Sequence, residues 1–285
     1  SVPVDNEKLS KLNNEYDAFI CGSDQIWAPK DTIFNEYYYL GFAEPSKLKI
    51  SYAPSIGLNE IPLNKKEKMA KLINRIDYIS VREEQGAELL KELTTKDIQV
   101  VLDPTLLLNA SQWSAIIPKS KTASPYILCY LLGDKAWYRE YLKEFAKTTG
   151  LKIVVIPMYF KDLKLGDYSE ADSGPDDFLR LFKDAEYIFT DSFHGTIFSV
   201  LFNKKFITFE RFDKSDENCQ NSRVYNLLNK VNLLNRFIGS ECKDINAIKG
   251  EIDYDYVDGI IEEERKKSLQ FLFGSLDKTR TQGEL

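Results

Sequence analysis

The chain has 285 residues, of which 43% are hydrophobic and 13% aromatic, so it can form one large α/β domain or two ordinary ones and is too apolar for a disordered chain. Its 38 basic and 44 acidic side chains give a net charge of −6, which argues against a nucleic-acid partner because phosphate neutralisation requires a basic surface. Apolar runs such as YILCYLL are far shorter than the roughly 18 residues that span a bilayer, and no signal peptide is recognisable.

The first half of the chain alternates apolar runs with amphipathic segments. Short apolar runs predict four strands, at 16–22, 48–53, 77–82 and 98–104. Helical periodicity predicts two helices, at 64–76 and 83–93. Strands that alternate with helices indicate βαβ units and a mainly parallel sheet.

A second series of the same kind follows a predicted linker at 116–126, which contains two prolines and small polar residues. Its predicted strands are 126–133, 151–158, 186–190 and 204–211. Its predicted helices are 135–150, 175–185 and 192–203, with two more in the tail at 222–234 and 255–273. The pattern therefore predicts an α/β fold with two doubly wound halves and a cleft between the carboxyl ends of their parallel sheets.

The predicted boundaries give an N-terminal domain at 1–118, a C-terminal domain at 119–250 and a tail at 251–285. The tail helix is expected either to pack back on the first domain or to take part in a dimer. Oligomeric state cannot be inferred from the sequence. Ligands of doubly wound folds bind where the carboxyl ends of the strands meet loops and helix N-termini, so the functional site is expected at those ends.

His194, the only histidine, lies at one of these ends, in the stretch FTDSFHGTI. A helix that begins near Ser192 would present backbone N–H groups and a positive dipole to an anion, with Gly195 and Thr196 in its first turn. His194 is expected to donate to a phosphate or to act as general acid, and Asp191 is expected to cap the helix or orient the imidazole. The alternative is a capped turn with a buried histidine.

Other strand-end loops supply weaker candidates. In ICGSDQIW, Gly22, Ser23 and Asp24 follow a buried strand and suit a tight turn against a ligand, while Trp27 offers a flat face to a sugar ring. The alternative is a structural turn with a core tryptophan. Three arginines suit a carboxylate or phosphate but equally suit structural ion pairs or surface positions: Arg82, Arg211 and Arg223.

The four cysteines show no metal or disulfide pattern. They are Cys21, Cys129, Cys219 and Cys242, without a C-x-x-C pair or a zinc spacing. We expect a reducing, cytoplasmic location, extending to the inner face of the membrane, with no metal and no cofactor.

Taken in order, the stretches YDAFICGSDQIW, SYAPSIG, YISVREEQGAELL, VLDPTLLL, YILCYLLG and FTDSFHGTIFSVLFNKKFI resemble the polysaccharide pyruvyl transferase family over about residues 16 to 235. The resemblance implies a fold similar to GT-B glycosyltransferases, in which the two halves are facing Rossmann-like domains. It also implies transfer of pyruvate from phosphoenolpyruvate, the donor, to a pair of hydroxyls on a cell-surface polysaccharide or its sugar precursor, forming a ketal. The first domain would bind the acceptor and the second the donor.

The resemblance also implies roles for particular residues. The family's histidine corresponds to His194, and the arginine of its S-V-R-E block corresponds to Arg82, which would bind the donor. Some members carry a second arginine where this chain has Ser192, so its contacts are expected from Arg211 or Arg223. Members also usually have a strand, a loop and a helix before YDAFICG, and a missing upstream segment is therefore expected.

Two alternatives remain open. A nucleotide-sugar-dependent glycosyltransferase of the same architecture would use His194 and the helix N-terminus to bind a diphosphate. A non-catalytic member of the family would only bind a glycan or another protein, which Ser192 and the missing segment favour.

Overall fold

The computed structural model describes residues 6–118, 124–213, 216, 219–242 and 244–282. Its strands are β1 Ala18–Cys21, β2 Leu48–Ser51, β3 Ile79–Val81, β4 Ile98–Val100, β5 Tyr126–Tyr130, β6 Lys152–Ile156, β7 Tyr168–Ser169, β8 Tyr187–Thr190, β9 Lys205–Phe209 and β10 Phe237–Ile238. Its α-helices are α1 Asn6–Lys11, α2 Leu63–Ile73, α3 Glu84–Lys91, α4 Ala110–Ser114, α5 Ala136–Thr149, α6 Pro175–Asp184, α7 Phe193–Leu201, α8 Asn221–Lys230 and α9 Tyr254–Gln282. Each predicted strand and helix appears among them, although most are one to several residues shorter than predicted.

The chain divides into two compact units. The first unit comprises Ser1–Leu107, Glu217–Ser222 and Ile261–Leu285, and the second comprises Leu108–Asp216 and Arg223–Ile260. The predicted domain limits at 118 and 250 stay predictions, and part of the predicted linker, residues 119–123, lies outside the described residues.

The first unit contains two parallel strand pairs, β1–β2 and β3–β4, which a bridge between Ile50 and Tyr78 connects. Side-chain hydroxyls reinforce the junction, because Ser51 Oγ donates to the Ser80 carbonyl at 2.9 Å and Ser80 Oγ donates to the Ser51 carbonyl at 2.6 Å. Helices α2 and α3 cover this sheet with apolar side chains that include Met69, which is fully buried. The carboxyl ends of all four strands therefore meet at one edge.

The end of α9 completes the first unit. Ser268 Oγ accepts a hydrogen bond from the Leu102 amide at 2.9 Å, and Arg265 Nε donates to the Leu106 carbonyl at 2.7 Å. Phe271 and Leu272 pack against a small cluster around Tyr52. The backbone groups just after β4 thus find their hydrogen-bond partners in a distant segment of the sequence, since Leu102 and Ser268 are 166 positions apart.

The second unit is built on one six-stranded sheet with the order β10-β9-β8-β5-β6-β7, and every pair in it is parallel. Apolar side chains from α5 and the central strands form its core, among them the fully buried Phe145, Phe189 and Ile207. Helix α5 ends where predicted, at Gly150, whose φ of 70° lies in the left-handed region that glycine adopts without strain. The carboxyl ends of β5, β8 and β9 lie side by side at one edge of the sheet.

None of the helices within the described ranges combines the length and the apolar character needed to cross a membrane.

Candidate functional site

The start of α7 is fixed by Ser192. This residue directly precedes the helix with an extended backbone, and its Oγ accepts a hydrogen bond from the Gly195 amide at 3.2 Å. The prediction that Asp191 caps this helix is therefore wrong. The hydroxyl of Ser192 is one residue closer to the first turn, and it is buried in that role.

Two predicted ligand-binding residues of α7 instead pack the helix on the sheet. A Cβ on Gly195 would overlap the hydroxyl of Thr190 at the end of β8, so only glycine permits this close approach. The fully buried Thr196 donates to the Ser192 carbonyl at 2.9 Å and shares a 2.8 Å hydrogen bond with Thr208. Ser192, Gly195 and Thr196 all make contacts within the protein, and these contacts do not support the predicted role of the three residues in binding substrate.

Asp191 joins the end of β8 to the loop that follows β5. Its two carboxylate oxygens accept hydrogen bonds from the backbone amides of Leu132, at 2.6 Å, and Gly133, at 2.7 Å. Burial raises the pKa of the Asp191 carboxyl above its ordinary value, although these two amides and the charge of Arg211 oppose the shift. Asp191 thus holds the loop in place, and its predicted catalytic role stays a prediction.

His194 is the second residue of α7 and is half-buried. Its ring lies edge-on to Phe193, with 5.4 Å between the ring centroids. Arg223 is mostly buried, and its guanidinium lies over the ring of Phe193, 5.6 Å from the ring centroid. Phe193 therefore contacts both His194 of α7 and Arg223 of α8, the latter through a cation–π interaction.

Arg211 lies beside the same loop, two residues after β9. A Cβ on Gly133 would be 3.1 Å from Arg211 Cγ and 2.6 Å from an Asp191 oxygen, so both side chains crowd this glycine. The guanidinium lies 4.6 Å from the Phe212 ring, and within the described residues it makes no ion pair or hydrogen bond. We call Gly133, Asp191, His194 and Arg211 the strand-end cluster; its guanidinium is available to an incoming anion.

In the first unit, Gly22, Ser23 and Asp24 form a tight turn after β1. Gly22 has a φ of 132°, and a Cβ there would overlap the Tyr52 carbonyl, so the close approach expected of this glycine is made by the protein's own backbone. The Ser23 hydroxyl accepts a hydrogen bond from the Asp24 amide at 2.6 Å. The Asp24 side chain is 62% exposed. Of the three residues, Asp24 is thus the one whose side chain reaches solvent most fully.

Trp27 is a core residue. It is 0% exposed, its ring is stacked on Tyr39 with 5.1 Å between centroids, and its indole N–H donates to the Tyr38 carbonyl at 3.0 Å. The predicted flat face for a sugar ring is therefore covered by protein, and the structural alternative for Trp27 applies.

Arg82 is enclosed by acidic side chains. Its Nη1 is 2.6 Å from Asp103, its Nε is 3.2 Å from Glu83 and its Nη2 is 3.4 Å from Asp24. Burial lowers the pKa of the guanidinium, but these carboxylates outweigh it and the net shift is upward. One cation among three carboxylates leaves this group acidic, which does not favour a donor anion. The contacts of Arg82 are those of its structural alternative, a buried ion pair, and its donor contact stays a prediction.

The sequence interpretation assigned no contact to Gly133 or Asp103, although it expected a strand-end loop near Gly133. Both sit in stretches that were read as strand ends, GD after YILCYLL and DP after IQVVL, and each follows directly on a buried run. A polar or glycine residue at such a point was the available signal. The described residues hold no group of three or more metal-ligating side chains, and the expectation of a metal-free protein stays a prediction.

Several solved structures align with this chain at low sequence identity. A Listeria monocytogenes protein described as a UDP-N-acetylglucosamine 2-epimerase aligns with a TM-score of 0.57 and 11% identity, over 94% of this chain and 79% of that one. The E. coli heptosyltransferase WaaC with ADP aligns with a TM-score of 0.45 and 13% identity, over 91% of this chain and 77% of that one. The wall teichoic acid polymerase TagF aligns with a TM-score of 0.46 and 13% identity, over 90% of this chain and 66% of that one. The likeness to the epimerase confirms the predicted GT-B-like α/β class with mainly parallel sheets.

Among curated proteins, no sequence matches this chain significantly. The sequence model of the polysaccharide pyruvyl transferase family, in contrast, matches residues 2–213. That range is about three quarters of the chain and contains the whole strand-end cluster. The chain belongs to the polysaccharide pyruvyl transferase family and is a transferase.

Proposed function

We propose that this chain transfers pyruvate from phosphoenolpyruvate to two hydroxyls of a sugar, forming a ketal and releasing phosphate. The observation that carries the proposal is Arg211, a guanidinium without an ion pair among the described residues, beside the loop that Asp191 positions at the start of the helix bearing His194. A donor that carries both a carboxylate and a phosphate requires such a cation, and an imidazole at the same strand end suits a reaction that begins with proton transfer.

The reaction has a clear division of labour between these residues. Protonation of the donor's methylene carbon makes the adjacent carbon electrophilic, and in this proposal His194 supplies that proton. One sugar hydroxyl then attacks, phosphate leaves with the electrons of its C–O bond, and the second hydroxyl closes the ring while the two hydroxyl protons are released. Arg211 would bind the donor's carboxylate or phosphate and offset the change of charge as phosphate departs.

The acceptor belongs to the first unit in this proposal. The exposed carboxylate of Asp24 can accept hydrogen bonds from sugar hydroxyls, and Ser23, whose hydroxyl bonds the Asp24 amide, holds it in place. Arg82 would act indirectly, as the cation 3.4 Å from Asp24.

Calorimetric titration with phosphoenolpyruvate tests the donor site. We expect Arg211→Gln to weaken binding by about 10- to 100-fold, because one or two charge-assisted hydrogen bonds are lost. His194→Gln should bind the donor nearly normally, yet lose at least about 100-fold in phosphate release when a panel of sugar acceptors is supplied. Lys249→Gln is the matched control, since Lys249 contributes a positive charge to the same unit next to Phe145, away from the cluster.

Equal binding by Arg211→Gln and Lys249→Gln would remove Arg211 from the donor site. Binding of a nucleotide sugar in place of phosphoenolpyruvate would favour the glycosyltransferase alternative. Binding of a glycan with no phosphate release would favour a non-catalytic member.

A further inference from the structure

The segment that follows β6 exposes a group of large apolar side chains. Phe160 is 92% exposed, and three neighbours on the same short segment are also exposed; the group, which we call the apolar patch, consists of Met158, Tyr159, Phe160 and Leu163. Isolated apolar side chains are common on protein surfaces, but four within six positions of one segment mark a contact surface.

A buried ion pair holds the patch in this conformation. The Asp162 carboxylate accepts hydrogen bonds from the amides of Met158, at 3.1 Å, and Tyr159, at 2.9 Å, and pairs with Arg139 of α5, whose Nε is 3.0 Å away. Leu165, just after it, is buried in the core. With Asp162 and Leu165 directed inward, Phe160 and Leu163 must point outward, so their exposure follows from the fold and not from an unanchored loop.

The apolar patch adjoins the strand-end cluster. The Tyr159 hydroxyl donates to the Leu132 carbonyl at 2.8 Å, and the Leu132 amide in turn donates to the Asp191 carboxylate at 2.6 Å. One residue therefore separates the patch from the carboxylate that positions the cluster. A surface that binds the patch will lie beside the proposed donor site.

Positive charge accompanies the apolar side chains. Lys161 and Lys164 lie within the same segment and are exposed. Lys161 forms an ion pair with Asp134, whereas Lys164 has no ion pair within the described part of the chain. An exposed phenylalanine with a tyrosine beside it and lysines around it has the chemistry of a site that inserts at the interface of a bilayer, where tyrosine favours the head-group level and lysine the phosphates.

We propose that the apolar patch docks this chain on a phospholipid bilayer with anionic head groups. A second copy of the chain is a poorer occupant, because a stable protein interface takes about 20 to 30 residues a side and the patch has four large apolar side chains. Docking at this place brings the strand-end cluster next to the membrane. The proposal stands apart from the donor chemistry and can be tested without any substrate.

Co-sedimentation of the full chain with vesicles provides the test. We expect binding to vesicles of phosphatidylcholine mixed with phosphatidylglycerol and weaker binding to phosphatidylcholine alone. Replacing Phe160 and Leu163 together by serine should weaken partitioning by at least about tenfold. Lys164→Ala should weaken it by about fivefold in the mixed vesicles only, and added salt should do the same.

Leu63→Ser is the matched control, because Leu63 is 85% exposed but lies at the start of α2 in the first unit. Circular dichroism of each variant checks that the fold is retained, as expected for exposed positions. The proposal is overturned if the wild type binds neither vesicle, or if Leu63→Ser loses as much binding as the Phe160/Leu163 variant. It is also overturned if the latter variant binds vesicles normally but changes from dimer to monomer in analytical ultracentrifugation, since a second copy would then be the occupant.

Discussion

Replacement of Arg82 by leucine distinguishes a structural arginine from a ligand-binding one. In the structure its side chain is only 2% exposed, as is that of its closest partner, Asp103. Removing the guanidinium would leave the Asp103 and Glu83 carboxylates buried without their shared cation. Breaking a buried ion pair in this way destabilises proteins by about 3 to 5 kcal/mol. Asp103 keeps hydrogen bonds from Thr105, at 2.6 and 3.0 Å, so we expect a value near the lower limit, about 3 kcal/mol.

Urea unfolding measured by tryptophan fluorescence gives the required free energy for the first unit alone. Trp27 belongs to that unit, whereas Trp113 and Trp137 belong to the second, so a background with Trp113→Phe and Trp137→Phe makes Trp27 the reporter. The control is Lys91→Met, which removes an exposed pair 2.6 Å long between Lys91 and Glu88 on α3. Such surface pairs contribute about 1 kcal/mol or less.

The reasoning is refuted if Arg82→Leu unfolds within about 1 kcal/mol of the parent while phosphoenolpyruvate binding disappears. That result would show that Arg82 contacts the donor and that the acidic enclosure opens when the donor binds. Equal destabilisation by Lys91→Met would show instead that the fluorescence does not resolve buried from exposed pairs.

Gly195→Ala should lower the free energy of unfolding by about 1 to 3 kcal/mol because the new methyl group overlaps Thr190, whereas Gly259→Ala in α9, where nothing lies within 4 Å, should raise it by about 0.5 to 1 kcal/mol. Thermal unfolding of the two variants checks this pair, and shifts of the same sign would contradict it. Burial raises the pKa of the Cys21 thiol to about 12, and that of Cys129 is raised as well, so Ellman's reagent should label the half-buried Cys242 in the native chain and label Cys21 and Cys129 only in urea. For Cys21 the folded pKa exceeds the ordinary 9.0, so its contribution to stability is complete below that pH and is lost as the pH rises towards 12; denaturant midpoints that stay constant across this range would contradict the assignment.

The secondary structure could be predicted because its causes are local. Helix α6 begins at Pro175 with Asp176 and Asp177 in its first turn, and α5 ends at Gly150; a short window of sequence contains each of these signals. The short strands β7 and β10 were not predicted. Each has only two residues, and such a pair carries too little periodicity to be recognised.

The roles of individual side chains were harder to predict, since the partners that decide them are distant in the sequence. The family resemblance implied that Arg82 binds the donor, and the sequence could not decide between that role and a structural ion pair because Asp103, 21 positions later, could not be placed beside it. Trp27 similarly depends on Tyr39, which covers its face. In the stretch TDS, both Asp191 and Ser192 suit a helix cap, and only the position of the β5 loop decides that Ser192 takes this role.

The same limit applies to the segment after β6. Its apolar letters continue those of the strand, and the predicted strand therefore extends to residue 158. In the structure β6 ends at Ile156, and the side chains that follow point to solvent. Hydropathy shows that a side chain is apolar but does not show whether it will be buried in the protein or exposed at its surface.

The course of α9 has a consequence for the order in which the chain can fold during synthesis. The second unit ends at Ile260, so a nascent chain of that length already contains all of its residues. The first unit, although it is synthesised first, still lacks the Ser268 hydroxyl that accepts the Leu102 amide and the Phe271 ring that packs near Tyr52. The amino-terminal strands therefore stay partly uncovered until the residues up to Phe271 have been made, and we expect the second unit to complete its fold first.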